Sequence, residues 1–349
     1  MNTDMKLYGL SERWAALAAG YPGLCVGRIL SQEKGMYRLV TQYGEKPAVV
    51  SGRMRHEAAA AEDYPAVGDF VMADWNESGD AVIHHLLPRR SCFARRAAGG
   101  AVQAQVAAAN VDTVFLCMAL GRDFSLRRLE RYLSLAWDSG ATPVVVLTKA
   151  DLCDDPARMQ LQAQSAAAGA DVLVTSSMEE NGCAQILPYL KPGKTAAFLG
   201  SSGVGKSTLI NRLLDEERLL TQGVRDDERG RHTTTRRELV LLPCGGMVID
   251  TPGMRELGMW EADSGIGQTF AEIERAAARC RFGDCSHQSE PGCAVRASIE
   301  AGEIPQERWL SYLKLRAESG YAADKAGYLA EKEKKFRQIA LINKSTKKR

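Results

Sequence analysis

The chain has 349 residues, a length that favours two or three folding units over one. Apolar residues make up 45% and charged residues 25%, which excludes disordered and collagen-like chains. The formal net charge of +2 does not by itself indicate a nucleic-acid partner. No apolar run approaches the roughly 20 residues of a membrane-spanning helix, and residues 1–6 lack a signal-peptide pattern. We therefore expect a cytoplasmic protein with no membrane partner.

The first 98 residues predict a short helix followed by a β-barrel. Apolar residues from Leu7 to Leu17 recur at helical spacing, and a Gly-Tyr-Pro-Gly break follows them. Between residues 24 and 87, short runs of alternating apolar and polar residues are separated by Gly, Pro and Asp. Closely spaced strands of this kind are typical of a small barrel.

A basic segment follows the predicted barrel. No acidic residue occurs between Asp80 and Asp112, while four arginines lie between Arg89 and Arg96. We interpret this segment as a basic linker and place the end of the first domain at residue 98.

The next part of the chain has the alternation of an α/β domain, which we assign to residues 99–262. The apolar patterns predict strands at 111–120, 143–147, 172–174, 195–199, 238–242 and 247–249, and helices at 125–139, 156–168 and 206–214. Strands that alternate with helices favour a parallel sheet covered on both faces. Residues 263–349 are assigned to a helical domain that contains a cysteine-bearing insert and ends in a basic tail.

A phosphate-binding loop follows the predicted strand at 195–199. The pattern G-x-x-x-x-G-K-[ST] is met by Gly200, Ser201, Ser202, Gly203, Val204, Gly205, Lys206 and Ser207, with Thr208 next in the helix. The glycines allow backbone amides to surround a polyphosphate at a helix N-terminus. Lys206 is expected to reach the β- and γ-phosphates, and the Ser207 hydroxyl to bind Mg²⁺.

A second phosphate element lies at the end of the last predicted strand. Asp250 and Gly253 form a D-x-x-G arrangement. The Asp250 carboxylate suits a role towards Mg²⁺, and the Gly253 amide a role towards the γ-phosphate. A lone D-x-x-G is weak evidence, but its position after a strand in a chain with a phosphate loop makes it specific.

Neither the phosphate loop nor the D-x-x-G segment distinguishes GTP from ATP. The nucleotide is therefore identified by the element that contacts the base. Thr148, Lys149 and Asp151 follow a predicted strand and resemble the Asn/Thr-Lys-x-Asp guanine motif. In that motif the carboxylate accepts hydrogen bonds from guanine N1–H and N2–H₂, a donor pair that adenine lacks. Further along, Ser176 and Ser177 resemble the element that lies behind the guanine.

The order of these motifs is unusual. In an ordinary GTPase the phosphate loop comes first and the guanine-reading elements last. Here residues 148–151 and 176–177 precede the loop at 200–207. The sequence therefore predicts a circularly permuted P-loop GTPase domain.

A cluster of metal-binding residue types lies near the C-terminus. Cys280, Cys285, His287 and Cys293 bring three thiols and one imidazole into 14 residues. This set suits a closed tetrahedral zinc site. The surrounding insert is rich in turn residues and poor in apolar ones, so we expect one structural zinc ion to hold its shape.

The segment 223–237 has no apolar period and contains five Arg, three acidic residues and three consecutive Thr. Such a segment is typical of a switch loop that nucleotide orders. We select Thr234 as the Mg²⁺-contacting and catalytic threonine, with Thr233 and Thr235 as alternatives. Met254 stands where many GTPases place a water-orienting Gln, so His232 is the candidate general base. A structural or RNA-facing role for His232 stays open.

Together these motifs make the chain resemble the ribosome small-subunit-dependent GTPase A family (the RsgA type) over about residues 22–310. The resemblance also rests on residues 230–235, on the D-x-x-G segment up to Gly258, and on the four zinc-type residues. It implies an oligonucleotide-binding (OB) type barrel, a permuted GTPase domain and a zinc-binding helical domain. It further implies GTP hydrolysis in late maturation of the small ribosomal subunit, with that subunit and its rRNA as partners of a monomeric protein.

Two alternatives remain open at this level. An ATP-dependent kinase would share the phosphate loop but would not need residues 148–151. An RNA-binding module that holds GTP only as a structural ligand would fit the barrel, the arginines at 89–96 and the tail. From residue 325 to 349 there are nine Lys or Arg and two Glu, and the tail is then either an RNA contact or solvated surface.

Overall fold

The computed structural model describes residues 2–33, 35–96, 104–121, 123–167, 169–179, 181–215, 237–250 and 263–323. The chain forms two compact units, Met1–Gly258 and Met259–Arg349. None of the helices in the described ranges is long and apolar enough to cross a membrane.

The first unit begins with a closed barrel of five strands, as the sequence predicts. These are β1 (Cys25–Glu33), β2 (Met36–Thr41), β3 (Gly44–Val50), β4 (Phe70–Asp74) and β5 (Ala81–Leu86). They pair in the order β1-β2-β3-β5-β4, and β4 pairs back with β1 to close the barrel. β3 and β5 are parallel, and the other neighbours are antiparallel. Ile29, Leu39 and Ile83 are fully buried in its core.

Two short helices flank the barrel, α1 (Glu12–Ala18) and α2 (Gly52–Glu57). Trp14 of α1 stacks on Phe70 of β4 with 4.8 Å between ring centroids. The apolar pattern predicts a helix from Leu7, but the structure has turns before residue 12. Gly9 explains the difference, because its φ is +81° and a Cβ there would lie 2.7 Å from Arg28 Nη1.

The basic segment after the barrel is not a simple linker. Residues on both sides of the proposed boundary pair as an antiparallel ribbon of β6 (Cys92–Arg96) and β7 (Ala104–Ala109). Arg89 donates to both carboxylate oxygens of Asp69, at 2.8 Å from its Nη2 and 2.9 Å from its Nε. It also donates to the carbonyls of Glu62 and Tyr64. Arg89 therefore joins the segment after β5 to the segment before β4, and with its side chain only 15% exposed it is not the exposed RNA contact that the linker interpretation suggested.

The rest of the first unit is the expected α/β domain. Its strands are β8 (Thr113–Ala119), β9 (Thr142–Thr148), β10 (Asp171–Val174), β11 (Thr195–Leu199), β12 (Arg237–Leu241) and β13 (Met247–Asp250). The order is β10-β9-β8-β11-β13-β12, with β12 antiparallel to β13 and the other neighbours parallel. β12 also pairs with β1, which joins the described barrel and sheet strands edge to edge.

Helices cover both faces of this sheet. They are α3 (Leu126–Asp138), α4 (Pro156–Ala166) and α5 (Lys206–Leu214). Val114, Leu116 and Met118 of β8 pack in one apolar cluster with α3 and α4, whereas Phe115 and Cys117 pack in another with α5. This strict alternation is why β8 reads as a continuous apolar run in the sequence.

A buried arginine joins the barrel to the sheet. Arg28 of β1 is 1% exposed, and burial lowers its pKa to about 10, so it remains charged at neutral pH. Its three side-chain nitrogens donate to five acceptors, namely Gly68 O, Tyr8 O, Met247 Sδ, Asn110 O and Thr195 Oγ1. Thr195 begins β11 and Met247 begins β13. One side chain therefore bonds the barrel to the amino ends of two sheet strands.

The second unit contains α6 (Asp263–Thr269), α7 (Ala271–Ala277), α8 (Ala294–Glu300) and α9 (Gln306–Ala323). Arg308 of α9 donates to Thr269 O at 2.7 Å and forms an ion pair with Glu272. Phe270 and Tyr312 make an edge contact with centroids 5.5 Å apart. The expected cysteine-bearing insert lies between α7 and α8.

Candidate functional site

The predicted nucleotide segments meet at one edge of the sheet. Thr148 ends β9, Thr175 follows β10, Gly200 follows β11 and Asp250 ends β13. These four strands run parallel in neighbouring positions with β8 between β9 and β11. Ligands of open α/β sheets bind outside the carboxyl ends of the strands. The fold therefore collects these segments at the edge where a nucleotide is expected.

The phosphate loop has backbone conformations that require glycine. Gly203 and Gly205 have φ of +78° and +95°. A Cβ on Gly200 would lie only 2.3 Å from the carbonyl oxygen of Cys117 in β8. The loop is therefore pressed against the neighbouring strand before it turns into α5. The N-terminus of a helix that follows such a loop is a favourable site for an anion.

The polar side chains of the loop lie at the start of α5. Lys206 Nζ donates to the carbonyls of Gly200 at 2.7 Å and Ser201 at 2.6 Å. Ser207 and Thr208 are half-buried on the first turn, while Ser202 is exposed. The ammonium group is thus held over the loop, where it would meet a phosphate.

The guanine motif is bonded to the phosphate loop. Thr148 Oγ1 donates to Val204 O at 2.6 Å, and both residues are at most 3% exposed. The Thr in place of the commoner Asn therefore still makes a link between β9 and the loop. Because the hydrogen bond is buried, leaving its acceptor unpaired would be costly.

Asp151 and Ser176 form the second link of the base-reading region. Ser176 Oγ donates to Asp151 Oδ1 at 2.7 Å and accepts from Met178 N at 3.2 Å. This contact fixes one oxygen of the carboxylate. A Cβ on Gly182 would lie 1.7 Å from Ser176 O, so only glycine permits this loop to close. Ser177 is half-buried beside it.

Two residues that the sequence motifs do not indicate also contact the phosphate loop. Arg128 Nη1 donates to Asp123 Oδ1 at 2.6 Å and to Ser201 Oγ at 2.9 Å. Tyr132 OH lies 3.5 Å from the same Ser201 oxygen. Both residues belong to α3, whose N-cap Ser125 accepts from Arg128 N. The sequence predicts a helix at 125–139, but it does not indicate that this helix approaches the phosphate loop.

Several predicted residues lie outside the described part of the chain. These are His232, Thr233, Thr234, Thr235, Gly253 and Met254, together with the basic tail at 325–349. Asp250 is described and half-buried at the end of β13.

The second unit brings together the four predicted zinc ligands. One ligand atom from each of Cys280, Cys285, His287 and Cys293 lies within 4.8 Å of the others. His287 Nδ1 is 3.5 Å from both Cys280 Sγ and Cys293 Sγ. The backbone of His287 is left-handed, with φ of 61°, a conformation that is uncommon for residues other than glycine. Three thiols and one imidazole at these distances are a donor set compatible with zinc.

Comparison with known proteins agrees with the geometry. The family model described as "RsgA GTPase" matches residues 86–260. The small ribosomal subunit biogenesis GTPase RsgA 2 of Lactiplantibacillus plantarum is 47% identical over 325 residues, covering 92% of this chain and 91% of that protein.

Two solved structures are also similar. YjeQ from Thermotoga maritima has 27% identity and a TM-score of 0.64 over 85% of this chain and 98% of its own. YloQ, described as a circularly permuted GTPase, has 25% identity and a TM-score of 0.61 over 87% and 98%. The permuted motif order, the fold and the relatives lead to one conclusion: this chain belongs to the RsgA GTPase family.

Proposed function

We propose that this protein is a GTP hydrolase of late small-subunit maturation, which converts GTP to GDP and phosphate with stimulation by the subunit. The observation that carries the proposal is the buried hydrogen bond between Thr148 and Val204, because a link between these two segments supports a single site for the base and the phosphates. The matched relatives are named small ribosomal subunit biogenesis GTPases.

Asp151 selects guanine in this proposal. Its Oδ1 already accepts from Ser176, so the carboxylate is oriented before a base arrives. The carboxylate has acceptors left for the N1–H and N2–H₂ groups of guanine. Lys149 covers the base with its aliphatic stem, and Ser177 supports the same loop.

The phosphates and Mg²⁺ would bind at the loop that precedes α5. Lys206 leaves the carbonyls of Gly200 and Ser201 to contact the β- and γ-phosphates, while the loop amides hold the phosphate oxygens. Ser207, Thr234 and Asp250 are the proposed magnesium ligands. Magnesium held there would supply positive charge against the negative charge that develops on the transferring phosphoryl group.

The attacking water needs a residue to position it. Met254 has no group that orients water, so His232 takes this role as general base, and Thr234 completes the catalytic set with Lys206. Slow turnover without the subunit follows if His232 reaches the water only after docking. This order gives the subunit control over hydrolysis.

The barrel is proposed to be of the OB type and to contact rRNA. Its closure in the order β1-β2-β3-β5-β4 supports this, because five-stranded barrels of that type bind oligonucleotides. The domains are proposed as 1–98, 99–262 and 263–349, with the ribbon of β6 and β7 crossing the first boundary.

Zinc is the proposed metal of the second unit. Cys280, Cys285, His287 and Cys293 would hold it, and the cluster then stabilises an insert that has few apolar side chains. The small subunit and its rRNA are the proposed partners of a monomeric, cytoplasmic protein.

Association with the subunit tests the role directly. The protein is sedimented with purified small subunits in the presence of a non-hydrolysable GTP analogue or GDP, with large subunits as the control. We expect binding to small subunits that is tighter with the GTP analogue. Equal association with both subunits, or none, would contradict the ribosomal role.

A further inference from the structure

Two adjoining cavities lie at the edge of the sheet opposite the nucleotide segments. Their volumes are about 220 Å³ and about 450 Å³, and both are lined by Arg90, Asp112 and Lys194. Asp112 precedes β8 and Lys194 precedes β11, so the cavities face the amino ends of these strands. A ligand there would leave the nucleotide edge free. We call this region the basic cleft.

Close backbone approach builds one wall of the basic cleft. A Cβ on Gly9 would lie 2.8 Å from Gly193 O, and a Cβ on Gly193 would lie 2.9 Å from Lys6 O. The N-terminal segment and the turn before β11 are therefore in direct backbone contact. This contact places Lys6 beside the turn that carries Lys191 and Lys194. The arrangement depends on two glycines with positive φ and is a fixed part of the fold.

The basic cleft has an excess of positive charge. Its exposed cations are Lys6, Arg90, Lys191 and Lys194. Among the described residues that line either cavity, Asp112 is the only acidic one. Arg28 adds a buried charge to the wall of the smaller cavity.

Asp112 fixes the positions of two of these cations, Arg90 and Lys194, but cannot neutralise both. Its Oδ1 accepts from Lys194 Nζ at 3.1 Å and forms an ion pair with Arg90, and its Oδ2 accepts from Thr195 N at 2.9 Å. Burial alone would raise the pKa of Asp112, but these hydrogen bonds lower it overall, so the carboxylate is ionised at neutral pH. One carboxylate thus holds Arg90 and Lys194 in place, and the three groups together keep a net positive charge.

We propose that the basic cleft binds the phosphate backbone of RNA, and that its occupant is rRNA of the small subunit. The inference rests on the proposed function, which supplies the polyanion. Charge complementarity supports it, because four exposed cations face a single acid. Two adjoining cavities suit a chain of successive phosphates better than one free anion. The cleft and the nucleotide edge can be occupied together.

The test uses the full-length double variant Lys6→Gln/Lys191→Gln. Neither ammonium forms an ion pair among the described residues, so the variant removes charge without breaking the Asp112 contacts. The matched control is Arg127→Gln/Arg158→Gln, which removes two exposed charges from α3 and α4, outside the barrel. A second variant, Lys6→Arg/Lys191→Arg, keeps the charge. Affinity for purified small subunits is measured at several salt concentrations.

We expect the Gln variant to bind subunits more weakly than the wild type. The slope of log affinity against log salt concentration should become less steep by about 1.5, because two phosphate contacts are lost. The Arg variant and the control should retain the wild-type slope, and all variants should bind GDP normally. A wild-type slope for the Gln variant would overturn the RNA cleft while leaving the proposed function intact. Weaker binding with an unchanged slope would indicate a contact other than phosphate and would also overturn it.

Two further outcomes are distinguishable. In one outcome, inorganic phosphate stabilises the wild type against unfolding but does not stabilise the Gln variant, and both proteins bind subunits with equal affinity. This result would assign the cleft to a free anion and overturn the proposal. Absence of subunit binding by the wild type would contradict the proposed function itself, and the inference would fail with it.

Discussion

Thr148 Oγ1 donates a hydrogen bond of 2.6 Å to the carbonyl oxygen of Val204, which connects the guanine motif to the phosphate loop. The two residues are 56 positions apart and both are buried. The position of the guanine motif and the position of the phosphate loop therefore depend on each other. Loss of this hydroxyl is expected to disturb both.

Replacement of Thr148 by Val, which has the same shape but no hydroxyl, should lower the affinities for GTP and GDP together. The buried Val204 carbonyl would lose its partner, at a cost of about 1–3 kcal/mol. Titration calorimetry of both nucleotides measures the effect. Thr148→Ser keeps the hydroxyl and should bind nearly as the wild type does. Unchanged affinities in the Val variant would show that the link does not support the site.

Exchange of Asp151 for Asn should weaken GTP binding about 100-fold or more, because two hydrogen bonds to an ionised acceptor are lost. The amide presents a donor, which suits the C2 oxygen of xanthine. The measurement is competition of GTP, xanthosine triphosphate and ATP for one labelled nucleotide. A variant that still prefers GTP over xanthosine triphosphate would contradict the role of Asp151.

Much of the candidate site follows from the sequence because its parts are local. The phosphate loop, Asp151 and the four zinc-type residues each lie in a short segment with a characteristic spacing, and the parallel sheet brings the strand ends together. The contact of Arg128 with Ser201 was not predictable in this way, since it depends on how α3 packs. Arg128 looked like an ordinary helical surface residue.

Replacement of Arg28 by Met should reduce the free energy of unfolding by about 3 kcal/mol, because several buried acceptors lose their donor. Denaturant unfolding of the full-length protein measures it. Arg55→Met removes an exposed arginine and should change the stability by less than about 0.5 kcal/mol. Equal stabilities of the two variants would contradict the structural role of Arg28.

The fold of the first unit could be predicted only in part from the sequence. The barrel and the α/β alternation were predicted and are confirmed by the strand pairing. The junction was not predicted, because Arg28 bonds residues as far as 219 positions away and β1 pairs with β12. In sequence, Arg28 is only a charged residue within a strand. Arg28 is buried only because the barrel and the α/β sheet pack together around it.

Substitution of Cys285 by Ser, or treatment with a chelator, should release one zinc ion per chain and abolish subunit-stimulated turnover. GDP binding should persist, because the nucleotide segments belong to the other compact unit. Metal analysis is paired with GDP titration of the same samples. Cys244→Ser replaces an exposed cysteine elsewhere and should retain the metal. A wild-type protein without zinc would contradict the assignment.

The variant His232→Ala should lower the subunit-stimulated hydrolysis rate about 100-fold or more, the usual contribution of a general base. Its GTP affinity should be unchanged, since the base is assigned to water and not to nucleotide. Single-turnover kinetics with saturating subunits separate the two effects. Equal stimulated rates for variant and wild type would remove His232 from the mechanism.

The central claim is tested most directly by the rate of GTP hydrolysis with and without small ribosomal subunits. We expect slow turnover of the protein alone and a saturable increase of about 100-fold or more on addition of the subunits. Large subunits should have no such effect, and Lys206→Ala should hydrolyse GTP under neither condition. A rate that is the same with and without small subunits, while GTP remains bound, would contradict the account and favour an RNA-binding module that holds GTP only as a structural ligand.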